Sequence, residues 1–89
     1  MKSDLTHQFK KDYRQVKYSG KYQIKEIDNT IEKLVNQLPL ELRLCDHELS
    51  GNLKGIRECH VFPDLLLMYR YVENGIILIR LGSHSELFE

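Results

Sequence analysis

Apolar residues recur at helical spacing through the first half of the chain and at strand spacing through the second. Phe9, Tyr13 and Val16 stand at i, i+4 and i+7, with Thr6 placed to cap them and Lys2 to Leu5 long enough for one short strand. Ser19-Gly20 breaks the pattern. Ile24, Ile27, Ile31, Leu34, Val35 and Leu38 resume it until Pro39, whose missing N–H forbids continuation, so a second helix is expected from Ile24 to Leu38. From Leu40 to Gly51 the periodicity fades, and Ser50-Gly51-Asn52 reads as a loop.

Three strands are expected next: Leu53 to Phe62, Leu65 to Glu73, and Ile76 to His84. Asn74-Gly75 is a strong hairpin signal, because a type I′ turn needs positive φ at both central residues; Pro63-Asp64 is a weaker turn. With those pairs as two-residue loops, Tyr69 faces Arg80, Leu65 faces His84, His60 faces Leu67 and Glu58 faces Tyr69. One face of the sheet then carries Glu58, His60, Tyr69, Arg80 and His84. The other carries Leu66, Met68, Val72, Ile77, Ile79 and Leu81 and is where the helices should pack. Arg57 and Arg70 fall on that apolar side, which requires an uncovered end. The order is β-α-α-β-β-β, an α+β fold with two N-terminal helices on one face of an antiparallel sheet.

Length allows one domain, residues 1–89, with a single core. The 42% apolar and 29% charged fractions are those of a globular chain, which sets disorder aside. No apolar run reaches the roughly 18 residues of a membrane span, and the N-terminus has no apolar leader, so a cytoplasmic protein with no membrane partner is expected. Cys45 and Cys59 are then free thiols, Cys59 as a small buried hydrophobe. Net charge is zero, but residues 1–25 hold seven Lys/Arg against Asp4 and Asp12, a local +5 that marks a basic N-terminal surface.

The clustering of His60 and His84 with Arg80 and Glu58 is the first chemical signal. Imidazole titrates near neutrality, so a histidine pair can supply both an acid and a base. Arg80 offers planar donors to a phosphate, and Glu58 can orient the cations. Together they outline phosphodiester cleavage without a metal: a base takes the ribose 2′-OH proton, a cation steadies the phosphorane, and an acid protonates the leaving 5′-oxygen. Zinc is the competing chemistry, with Cys59, His60, His84, His47 and Asp64 as possible ligands. Cys59 and His60 are strand neighbours that point to opposite faces, and no paired ligand spacing occurs. No phosphate-cradling glycine motif is present, so no cofactor is expected.

Three separated strings carry a resemblance: Asp46-His47-Glu48-Leu49-Ser50-Gly51, Lys54-Gly55-Ile56-Arg57-Glu58-Cys59-His60-Val61-Phe62-Pro63-Asp64, and Leu81-Gly82-Ser83-His84-Ser85-Glu86-Leu87-Phe88. Together they resemble the YafQ-type toxins of the RelE superfamily, over nearly the whole chain. The resemblance implies a bacterial mRNA endoribonuclease that often acts on the ribosome and is neutralised by a DinJ/RelB-like antitoxin, touching operator DNA only through that antitoxin. It implies a RelE-like fold, His84 as proton donor to the leaving oxygen, and supporting roles for His47, His60 and Asp64. Arg80 matches a phosphate-stabilising position, while Lys54, Arg57 and Phe88 are the implied RNA contacts. Two departures stand out. Leu65 occupies a position where many such toxins have tryptophan, and the chain is neutral where they are basic, which shifts the burden of presenting substrate to the ribosome. The rival from another class is a weak or inactive RelE-like module that acts through its antitoxin in a DNA-bound complex.

Overall fold

Thr6 closes a first strand and opens a first helix in the computed structural model, which describes residues 2–88. Its hydroxyl accepts from the Phe9 amide at 2.9 Å, capping α1 (His7–Ser19), and donates to the Ile79 carbonyl at 2.7 Å. One residue therefore fixes where the helix starts and where it docks. Gly20, at φ 72°, ends α1 in the left-handed region that glycine enters without cost.

The second helix, α2 (Ile24–Val35), stops earlier than the proline suggested. Gln37 turns to φ 54°, the Leu38 amide donates to the Lys33 carbonyl at 2.8 Å and the Gln37 amide to Leu34 at 3.1 Å. This is a Schellman closure. It leaves Leu38 exposed rather than on the buried face.

Five strands form one sheet in the order β1-β5-β4-β3-β2: β1 Lys2–Leu5, β2 His47–Glu48, β3 Arg57–Phe62, β4 Leu65–Val72 and β5 Gly75–Gly82. The expected meander β3-β4-β5 is antiparallel. It is widened by β1, parallel to β5, and by the two-residue β2 on β3, so the sheet is mixed. Residues 53–56, expected in a strand, belong to the turns before β3, and β2 lies in what read as loop. Phe9 and Val16 of α1 with Ile27 and Leu34 of α2 bury Cys59, Val61, Leu65, Leu67, Tyr69, Ile76, Leu78 and Leu81.

Two bulges set β4 against other neighbours than expected, while the last hairpin moves the register by two residues and keeps its parity. The last hairpin places Val72 opposite Gly75, so its loop is Glu73-Asn74; Asn74 alone has positive φ, at 62°, and Gly75 belongs to the strand. Val61 is an extra residue between the pairs His60–Leu66 and Phe62–Leu65. Ile79 is a second, between Met68–Arg80 and Tyr69–Leu78. Each bulge shifts parity by one residue. Tyr69 therefore turns into the core instead of standing in solvent across from Arg80. Leu66 and Met68 share the outer face with Glu58 and His60, whereas Leu81 packs inward as expected. The correction also resolves the two arginines: Arg70 is exposed on the outer face, and Arg57 pairs with Tyr69.

Candidate active site

Ser83-His84-Ser85-Glu86 has the spacing of a capping box, and it acts as one. The Ser83 hydroxyl accepts from the Glu86 amide at 3.2 Å, and Glu86 Oε1 accepts from the Ser83 amide at 2.8 Å. The chain consequently leaves β5 at Gly82 and starts a helix, α3 (His84–Phe88), so His84 is a first-turn helical residue, not the strand residue expected opposite Leu65. A Cβ on Gly82 would lie 3.2 Å from Glu86 Oε1 and 3.4 Å from Leu87 Cδ2; glycine lets α3 close on the strand end. The His84 ring rests against Phe88, centroids 4.9 Å apart.

This closure brings the two histidines to one place. His60 from β3 and His84 from α3 line a single cavity of about 410 Å³ with Pro63, Asp64, Leu66, Ser83 and Ser85. Asp64, at the β3–β4 turn, accepts a 2.9 Å hydrogen bond from the Tyr22 hydroxyl, and the Tyr22 ring packs on Phe62 at 5.2 Å. Two imidazoles and an anchored carboxylate around a solvent-open cleft are suited to moving protons on a bound ester.

Arg80 stands apart from them. It lies beyond the reach of β1, whose last pair is Leu5–Leu78, so the Leu81 amide lacks a strand partner and donates instead to Asp12 Oδ2 at 3.0 Å. Arg80 Nε donates to the same oxygen at 2.8 Å and Nη2 to Oδ1 at 3.3 Å. Burial alone would raise the Asp12 carboxyl. The hydrogen bonds from Arg80, Leu81 and Gln8 and the Arg80 charge outweigh it, holding the group below the usual carboxylate range. Arg80 lines a second cavity of about 330 Å³ with Asp12, Lys21 and Tyr22. Asp64 and Ser83 line both cavities, forming the wall between Arg80 and the histidines.

A second cluster occupies the β2 end of the outer face. His47 Nδ1 donates to the Cys45 carbonyl at 2.6 Å, and Nε2 lies 3.2 Å from Glu58 Oε2. Glu58 is only 6% exposed, its Oε1 buried without a hydrogen-bond partner among the described residues. Arg57 is engaged rather than free: Nε donates to the Tyr69 hydroxyl at 3.3 Å, Nη2 lies 3.3 Å from Asp46 Oδ2, and Tyr69 donates to Asp46. Lys54 is exposed in the turn before β3. Asp12, Tyr22 and Asp46 escaped the sequence reading because their partners are 68, 42 and 23 positions away. The Ser83-to-Glu86 spacing, by contrast, was a readable signal.

Among the described residues no three His, Cys, Asp or Glu side chains gather as a metal centre requires. Cys59 points into the core, away from His60, and burial pushes its thiol up to about 12.

A small α+β domain with two helices packed on a mixed sheet and two histidines lining one cavity is the make-up of a type II toxin–antitoxin toxin, as the comparisons show. The family model described as bacterial toxin of type II toxin–antitoxin system, YafQ, matches residues 1–89, and the chain belongs to that family. It is 35% identical to the mRNA interferase toxin YafQ of Escherichia coli K12, over 84% of this chain and 96% of that protein. Its fold is similar to a copper-bound mutant toxin from Helicobacter pylori, with TM-score 0.94, 39% identity and 99% of each chain covered. It is likewise similar to YafQ in the E. coli DinJ–YafQ toxin–antitoxin complex, with TM-score 0.89, 30% identity, and 99% of this chain and 97% of that chain covered.

Proposed function

We propose that this chain is an mRNA endoribonuclease, inhibited by its own DinJ/RelB-like antitoxin, that cuts without a metal by attack of the ribose 2′-OH on the adjacent phosphate. The observation that carries the reading is the cavity shared by His60, Asp64 and His84. His84 protonates the leaving 5′-oxygen, and His60 takes the 2′-OH proton. Asp64, fixed by Tyr22, orients the substrate between them. Arg80, held to Asp12 on the other side of the Asp64–Ser83 wall, adds positive charge to the site without touching the phosphorane. On the same face His47, held by Glu58, contacts the flanking backbone together with Lys54, and Phe88 sets the His84 ring and meets a base. Arg57 contributes by fixing Asp46, the neighbour of His47, instead of by touching RNA.

Zero net charge supports presentation of the mRNA by the ribosome, since a neutral chain gains little from free RNA phosphates. DNA is contacted only through the antitoxin, and the site of action is the cytoplasm. Among the described residues no helix is long and apolar enough to cross a membrane. The test is induction in a bacterial host, followed by mapping of mRNA ends. Growth arrest with new 5′ ends inside coding regions, both suppressed by the antitoxin, is expected. Intact mRNA under full induction would instead make the chain a binding module.

A further inference from the structure

Attack by the ribose 2′-OH leaves both histidines in the protonation state opposite to the one in which they began. His84, having protonated the leaving 5′-oxygen, is neutral, and His60, having taken the 2′-OH proton, is an imidazolium. The pair is now a base where the 5′-oxygen stood and an acid beside the 2′-oxygen. Hydrolysis of the cyclic phosphate needs that same pair, with water in place of the departed 5′-hydroxyl, as when an acid of a first step turns base for the water of a second.

The cleft admits water on the side where it is needed. His84 and Ser85 are exposed, whereas His60 is half-buried and Leu66, in the same cavity, is only 2% exposed. The place vacated by the 5′-fragment, next to His84, is therefore the solvent-facing one, and the 2′-oxygen lies on the sheltered side. A cavity of about 410 Å³ is large against the roughly 30 Å³ share of one water, so a cyclic phosphate and a water fit together. Polar anchors for that water line the same cavity. Asp64 Oδ2 is held by the Tyr22 hydroxyl at 2.9 Å, which leaves the other carboxylate oxygen to accept from it, and the Ser83 and Ser85 hydroxyls lie 3.4 Å apart beside His84.

We propose that the chain has a second activity in this site: it hydrolyses the 2′,3′-cyclic phosphate that its own cut produces and ends on a 3′-phosphate. This activity rests on the cleavage reading above and adds a step to it. A water oxygen bonds to phosphorus as the bond from phosphorus to the 2′-oxygen breaks; the water proton passes to His84, and the His60 proton goes to the 2′-oxygen. Only water is consumed. Both histidines return to their starting protonation, ready for another strand. Because the acid stands at the 2′-oxygen, the 3′-phosphate is the sole product, whereas uncatalysed ring opening gives the 2′- and 3′-isomers together.

The test supplies the chain with an RNA already ending in a 2′,3′-cyclic phosphate, free and in a ribosomal complex, in water enriched in oxygen-18. The ends are read by chromatography and mass spectrometry, and a parallel sample receives uncut mRNA on ribosomes. Conversion to the 3′-phosphate alone, carrying one labelled oxygen, is expected at a rate at least about a hundredfold above the protein-free sample. His60→Ala and His84→Ala, each checked for native circular dichroism, should both lose about a hundredfold of that rate. If the uncut mRNA yields a 5′-hydroxyl and a cyclic end that persists, the second activity alone is overturned. Equal conversion by His84→Ala, or a mixture of 2′- and 3′-phosphates, overturns it as well. If the uncut mRNA stays whole or gives 5′-phosphates, the cleavage reading fails and takes the second activity with it.

Discussion

His84 is the residue on which the proposed chemistry turns, and its position follows from four consecutive side chains. The Ser83–Glu86 box starts α3, aims His84 away from the strand and sets it in the cavity of His60 and Asp64. His84→Ala removes the acid and leaves the buried core untouched; cleavage should fall on the order of 10² to 10⁴-fold, read in single-turnover assays, with the melting temperature unchanged. The histidines were legible in the sequence as types and as a cluster. Their partners were not, because a contact such as Tyr22 to Asp64 spans 42 positions and depends on how the α1–α2 connection meets the β3–β4 turn. Arg80 was legible only in part. Its charge was evident, but not that Asp12 would occupy two of its nitrogens.

At the scale of elements, what the sequence conveyed best was existence and order. Both helices, Thr6 as a cap and the three-strand meander are present in the expected order, with α2 and β3 shorter than periodicity suggested. Facing was misread because it depends on parity, and parity was changed by single residues at Val61 and Ile79 that no residue type announces. The helix ends show the same limit: Gln37 entering the left-handed region stopped α2 before Pro39 had to. Since α3 is held to the sheet by its cap, Ser83→Ala should loosen the placement of His84 without removing it. Its expected cost is about 1 kcal/mol of local stability. Cleavage should drop by less than in His84→Ala, and hydrogen exchange should quicken at the amides of Glu86 and Leu87 alone.

Across the whole molecule the titration of Asp12 links the open edge of β5 to pH. Its carboxyl is held below the usual range in the fold, so the stability it contributes is complete above the unfolded carboxylate value and is lost as pH falls through the folded one. Chemical denaturation should therefore show an acid limb that flattens in Asp12→Asn, measured as the urea midpoint against pH. Cys59 acts at the other end: with its thiol raised to about 12 by burial, stability is complete below the ordinary thiol range and declines as pH climbs toward that value. The central claim is that the cleft of His60, Asp64 and His84 cuts RNA through the substrate's own 2′-OH with no metal taking part. The most direct measurement is cleavage of a defined RNA by the purified chain, on ribosomes and in EDTA, with the product ends identified. A 2′,3′-cyclic phosphate or 3′-phosphate opposite a 5′-hydroxyl, and no cleavage when the scissile nucleotide is 2′-deoxy, is the expected result. Products with 5′-phosphates, or activity that disappears in chelator and returns with zinc or magnesium, would contradict it.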